Sequence, residues 1–144
     1  MNEIQLDLGL QEYQLGEGIL RFNPADPALY HRFLQAAEEL ENLEQELNAQ
    51  AEETADGPGI LTLLNEIDRK AKDALDRVFG PGTDFNALLG GVNLLAGTVN
   101  GHRVIENLLA ALMPILQNGA KAFYDREAEK ELAQADAQRA ARTK

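Results

Sequence analysis

The chain of 144 residues contains no cysteine, serine or tryptophan, and aromatic residues make up only 6% of it. The absence of cysteine excludes disulfides and thiolate metal sites, and the absence of both cysteine and serine excludes the two nucleophiles of thiol and serine hydrolases. Two histidines, His31 and His102, are the only groups suited to proton transfer near neutral pH, and they lie 71 positions apart. These absences favour a non-enzymatic function and give no reason to expect a cofactor.

Long apolar runs and a surplus of basic residues are also missing. No run is long enough to span a bilayer, and the segment 1–7 carries acids where a secretory signal needs basic residues, so we expect a cytosolic protein. The formal net charge of −11 repels phosphate groups, which disfavours nucleic acid and anionic membranes as partners. Residues 1–56 hold 13 acids and two bases, whereas residues 57–144 hold 11 of each. This asymmetry favours a basic or neutral partner, although an acidic helix face also serves solubility alone.

The first 23 residues predict β-structure. Apolar and polar residues alternate over Ile4–Leu10, and a second alternating row, Leu20 and Phe22, follows a glycine-containing stretch. We expect a hairpin or meander, with Tyr13 in a middle strand. Because two or three strands are marginally stable alone, their apolar face must pack on helices or on a neighbouring subunit.

Two long amphipathic helices are predicted next. Asp26 and Pro27 form a helix start, and the first helix then carries apolar residues at alternating spacings of four and three: Leu29, Phe33, Ala36, Leu40, Leu43 and Leu47. After a turn at 54–59, a second helix with the same spacing should run from about Ile60 to Phe79 and end at Gly80. The matching periods indicate an antiparallel pair.

Further helical segments follow. Thr83 is a candidate cap for a short helix at 84–89, and residues 92–100 suit a turn or an ordered loop. Another helix should open near residue 100 or 101, with a kink at Pro114 and a weak point at Gly119.

The predicted fold class is mainly α, with a small N-terminal β-hairpin or meander packed on a helical bundle of three to five helices. Residues 1–123 are expected to form one domain, with a β region at 1–23 and helices at 24–123. Residues 124–144 form a charged tail that is helical or disordered.

None of the patterns suited to chemistry forms a specific site. Carboxylates on the first helix have the spacing of an ordinary solvated face, and no apolar residues surround them to raise a pKa. The two histidines lack the spacing that puts two metal ligands on one helix face. The paired glycines lack the lysine of a phosphate-binding loop and are predicted to form turns.

The apolar stripes are the strongest functional signal. They form the core of a helical domain, but the stripe of the first helix continues among acidic residues, beyond what a small domain needs to bury. We therefore predict a partner-binding surface in the outer part of that helix and on one face of the later helix. Its candidate residues are Leu40, Leu43, Leu47, Leu109, Leu112 and Leu116.

The order of segments resembles the tail assembly chaperones of long-tailed bacteriophages and prophages. The resemblance rests on a strand region leading into the Phe-Asn-Pro-Ala-Asp-Pro segment at 22–27, a helix start at Tyr30–Phe33, the Val-Phe-Gly-Pro-Gly-Thr segment at 78–83, and Phe85 to Gly90 followed by a helix and a charged tail. It covers most of the chain.

Membership of that family implies a non-enzymatic protein of the bacterial host cytoplasm. Such chaperones coat the helical, aggregation-prone tape measure protein, recruit tail tube subunits and leave before the tail is complete. The chain lacks the longer carboxyl extension that a ribosomal frameshift produces in the family, so it would be the short form. Homo-oligomerisation is left open.

Three alternatives remain at this stage. The same helices would serve a structural virion or adaptor subunit through permanent oligomerisation. The acidic stretch 38–56 motivates an inhibitor that mimics nucleic acid, although its interleaved leucines argue against that reading. A hydrolase acting through paired carboxylates is the least favoured of the three.

Overall fold

The computed structural model describes residues 1–54 and 56–142. Ala55, in the predicted turn, and Thr143 and Lys144, at the end of the predicted tail, lie outside the described residues. Within the described residues, two strands precede four helices: β1 Gln11–Leu15, β2 Gly18–Phe22, α1 Pro27–Glu53, α2 Gly57–Phe79, α3 Phe85–Leu88 and α4 Val104–Arg142. This architecture confirms the predicted fold class.

Strands β1 and β2 form an antiparallel hairpin closed by a two-residue turn. Leu15 lies opposite Gly18, and Gly16 has a φ of 57°, which a tight turn with glycine at its first central position requires. Leu20 and Phe22 are buried, and the Tyr13 ring stacks on the Phe22 ring at 4.6 Å between centroids. The hairpin therefore buries its apolar face in the main core, as a marginal two-stranded sheet must.

The prediction of a strand at Ile4–Leu10 is wrong. Residues 1–10 form no strand, and β1 begins at Gln11, so that Tyr13 lies in one of two strands and not in a middle one. An alternating pattern becomes a strand only where a partner supplies a hydrogen-bonded ladder. The described residues of the chain offer this segment no such ladder.

Helices α1 and α2 form the predicted antiparallel pair. Asp26 caps α1 by accepting a hydrogen bond from the Ala28 amide at 2.9 Å. The Lys70 ammonium contacts the Glu46 carboxylate at 3.2 Å across the pair. Near the opposite end, Arg32 Nε donates to the carbonyl of Val78 at 2.9 Å.

The boundaries of α2 and α3 differ from those predicted. Helix α2 begins at Gly57, three residues before Ile60, because Asp56 accepts a hydrogen bond from the Gly59 amide at 3.2 Å and so supplies the cap. Asp84, and not Thr83, caps α3, and its side chain accepts from the Ala87 amide at 3.1 Å.

Helix α4 begins at Val104, later than predicted, because the loop before it has its own hydrogen bonds. Thr98 donates its amide to the carbonyl of His102 at 2.9 Å. The Glu106 carboxylate accepts the Arg103 amide at 3.3 Å. This bond, and then the one with His102, lowers the pKa of Glu106. The helix neither ends at Pro114 nor breaks at Gly119 and continues through Arg142.

Asp76 of α2 allows a test of how α2 and α3 are held together. Its carboxylate accepts the Phe85 amide at 2.8 Å and so connects α2 to α3. Burial is the main cause that raises the pKa of Asp76, and Asp84 and Asp73 add to it, whereas the bond from Phe85 opposes it. The folded state therefore favours the protonated form, and stability declines as the pH rises through the unfolded and then the folded pKa.

We expect Asp76→Asn to match or exceed the wild type in stability at pH 7, because asparagine keeps the acceptor and removes the charge. Asp76→Ala is expected to lose about 1–2 kcal/mol, because the Phe85 amide loses its partner. Urea denaturation of the three proteins measures the difference. A loss in Asp76→Asn as large as that in Asp76→Ala would contradict the assigned role of the charge.

Candidate functional site

Three of the six predicted binding residues are not available at the surface. Leu47 is buried in a small cluster with Leu63 and Ile67, and Leu112 and Leu116 belong to the main core. The expectation that these three leucines are exposed is therefore wrong, although Leu47 still borders the groove described next. The reason is that α2 extends far enough to cover Leu47, while the inner face of α4 packs into the core shared with the hairpin.

The other three predicted residues are half-buried and face one groove. Leu40 and Leu43 of α1 and Leu109 of α4 pack against the main core and keep part of their surface accessible. Together with the edge of Leu47 they border a groove of about 270 Å³ between α1, α2, α4 and the loop before α4. We call this the α1–α4 groove. Its remaining lining residues are Ala37, Glu41, Glu44, Ile67, Ala71, Leu94, Leu95, Arg103, Ile105 and Glu106.

The polar part of the groove lining is mostly acidic. Glu41, Glu44 and Glu106 are exposed there, and Arg103 is the one basic side chain in the lining. The pKa of Glu106 is lowered, first by the bond from the Arg103 amide and then by the bond with His102. The groove thus combines an apolar floor with a rim of net negative charge.

The size of the groove limits what it can hold. Its volume lies below the range of about 300–1,000 Å³ that is typical of small-molecule pockets. Its wall is built from the sides of helices, as in grooves that receive apolar side chains of another helix. The arrangement is suited to one or two anchoring side chains of a protein partner.

The two histidines, which were the candidates for proton transfer, lie apart at the surface of the protein. His31 is exposed on α1, and His102 contacts Glu106 at 3.1 Å at the start of α4. Within residues 1–54 and 56–142, no group of three or more histidine or acidic side chains is placed to hold a metal ion. No helix in the same residues is long and apolar enough to cross a membrane.

Comparison with known proteins adds no identification. No family model, no curated protein and no solved structure matches the chain.

Sequence reasoning missed the loop that completes the groove. Leu94 and Leu95 lie between α3 and α4, where the apolar residues have no periodic spacing. The loop is fixed because Asp68 of α2 accepts the Leu94 amide at 2.7 Å and the Asn93 side chain accepts the Leu95 amide at 2.8 Å. An Asn two residues before an amide is a local signal for such a turn, but it does not reveal the distant Asp68.

Proposed function

We propose that the chain is a non-enzymatic chaperone that binds an amphipathic helix in the α1–α4 groove. The observation that carries the proposal is the convergence of half-buried leucines from α1 and α4 on a groove with an acidic rim. An apolar helix face inserts anchor side chains into such a groove, and basic residues beside that face are attracted by Glu41, Glu44 and Glu106.

The resemblance to tail assembly chaperones supplies the proposed partner. In this proposal the bound helix belongs to a phage tape measure protein, and the chain also helps to recruit tail tube subunits in the host cytoplasm. A groove of modest size with a charged rim supports reversible binding, because few apolar anchors have to leave when the partner is released. The long acidic face of α1 keeps the loaded complex soluble.

The charged rim allows a test that leaves the core intact. We expect Glu41→Lys combined with Glu44→Lys to weaken binding of the tape measure protein by roughly tenfold at low salt, because attraction becomes repulsion. The difference should shrink at high salt, where exposed charges are screened. Co-expression with the tape measure protein followed by affinity measurement on the purified complex gives the result.

Glu52→Lys combined with Glu53→Lys is the matched control. It makes the same change in net charge at exposed positions of α1 outside the groove lining. Equal weakening by both pairs would show that overall charge, and not the groove, determines binding. No effect of the groove pair, with an unchanged thermal transition, would remove the groove from the proposal.

A further inference from the structure

The segment before the hairpin carries four apolar side chains that are each more than half exposed. Ile4 is 89% exposed, Leu6 75%, Leu8 58% and Leu10 57%. Between residues 1 and 10, the bond from Asn23 Nδ2 to the carbonyl of Leu8, at 3.0 Å, is the one hydrogen bond to another described part of the chain. A contiguous apolar row of this kind marks a surface that is covered in an assembly.

The row is held at the open end of its own hairpin and does not pair with it. Gln11 is paired with Phe22 at the open end of the hairpin, and Asn23, the next residue after β2, holds Leu8 beside that end. Within the described residues, the chain before Leu8 makes no hydrogen bond to β1 or β2. Gly9, with a φ of 68° and its amide bonded to the Asp7 carboxylate, turns the chain between Leu8 and Leu10.

The outer edge of β2 is an open hydrogen-bonding edge. Because Leu15 and Gly18 form the pair next to the two-residue turn, the backbone groups of Ile19 and Arg21 point away from β1. They have no other partner within residues 1–54 and 56–142. An unpaired edge of this kind accepts an added strand.

A groove of about 610 Å³ runs along this edge. One wall is β2 with the preceding turn. The other contains the apolar side chains Phe79, Pro81, Ala87 and Leu88 together with the polar residues Thr83 and Asp84. A strand laid against β2 would turn an alternating apolar row toward that wall and its polar residues outward.

We infer that the segment Ile4–Leu8 of one copy adds as a third strand to the β2 edge of a second copy, and that the exchange is reciprocal. Burying each leucine or isoleucine removes about 100 Å² of apolar surface. Six such side chains and the surfaces that receive them then bury roughly 1,200 Å², the lower end of the range for a specific protein interface. A reciprocal exchange also closes the assembly at two copies. The inference does not depend on the proposed chaperone function.

The oligomeric state provides the first test. Analytical ultracentrifugation at micromolar concentration should give the wild type twice the monomer mass of 15.8 kDa. Leu6→Glu combined with Leu8→Glu should give the monomer mass with an unchanged helical circular dichroism spectrum, because both residues are already exposed. The control pair Leu61→Glu and Leu132→Glu makes the same charge change at exposed leucines on α2 and α4 and should stay dimeric. A monomeric wild type overturns the inference.

Cross-linking tests where the strand is placed, since the natural chain has no cysteine. The variant Leu6→Cys with Ala87→Cys should form disulfide-linked dimers on mild oxidation. Leu6→Cys alone should form no disulfide-linked dimers under the same oxidising conditions and at the same protein concentration. A bond within one chain would show that the segment folds back on its own hairpin. Efficient dimers of Leu6→Cys alone would show that two rows pair with each other. Either result overturns the exchange with β2.

Discussion

Gly119→Ala is expected to destabilise the protein by about 2–3 kcal/mol, although alanine is the better helix former by about 1 kcal/mol. An ideal Cβ on Gly119 would lie 1.8 Å from the carbonyl oxygen of Pro24 and 2.4 Å from its carbonyl carbon. Both are backbone atoms, and no side-chain rotation relieves the contact. Helix α4 can therefore pack against the connection between β2 and α1 only where it has no side chain.

The connection that contains Pro24 has little freedom to move. Asn23 accepts the Ala25 amide at 2.9 Å, and the Asp26 amide donates to the carbonyl of Asn23 at 3.1 Å. Accommodating a methyl group then requires α4 to shift away from the hairpin, which loosens the buried contacts of Leu116 in the main core. This cost exceeds the gain in helix propensity.

Thermal unfolding of Gly119→Ala and Asn118→Ala compares the two effects. Asn118 is exposed in the same turn of α4, so its replacement should leave stability unchanged or raise it slightly. For a chain of this size we expect Gly119→Ala to lower Tm by roughly 5–10 °C. A Gly119→Ala variant as stable as Asn118→Ala would mean that α4 does not approach Pro24 closely.

Gly119 also illustrates the limit of prediction from local pattern. Propensity identified it as a weak point in a helix, and the structure shows that its role is to permit a contact 95 positions away in the sequence, at Pro24. The long helices were predictable because their apolar spacing and caps are local, as Asp26 and Gly80 show. The distant contact was not, because no periodicity encodes which backbone a glycine will meet.

The candidate groove also combines residues that a local pattern predicts with residues whose position depends on distant contacts. Leu40, Leu43 and Leu109 could be proposed because they extend regular stripes, but stripe membership does not distinguish a half-buried leucine from a buried one such as Leu112. Exposure depends on which neighbouring element covers the residue. The floor residue Leu94 comes from an irregular loop, whose position depends on an acceptor in α2.

The second large effect is expected for Lys72, which forms an ion pair with Asp68, the acceptor in α2. Lys72 is only 4% exposed, and its ammonium donates to Asp68 Oδ2 at 2.9 Å and to Asn86 Oδ1 at 2.7 Å. The other carboxylate oxygen of Asp68 accepts the Leu94 amide at 2.7 Å. One buried ion pair of α2 thus holds both Asn86 of α3 and Leu94 of the loop that completes the α1–α4 groove.

Lys72→Met is expected to lose about 3–5 kcal/mol, because it leaves the largely buried Asp68 carboxylate without its compensating charge and Asn86 without a donor. Lys70→Met is the matched control, since Lys70 lies on the same helix and forms a half-exposed ion pair with Glu46 of α1, and this variant should lose at most about 1 kcal/mol. Urea denaturation measures both losses.

A third variant separates charge from packing in this network. Adding Asp68→Asn to Lys72→Met removes the uncompensated charge and keeps an oxygen for the Leu94 amide, so the double variant should recover part of the stability that Lys72→Met loses. Additive losses would mean that the two side chains do not stabilise each other. Because Leu94 lines the groove, Lys72→Met should also weaken partner binding when the protein is held below its unfolding transition, whereas Lys70→Met should not. Equal binding by the two variants would show that the groove does not depend on the Asp68 anchor.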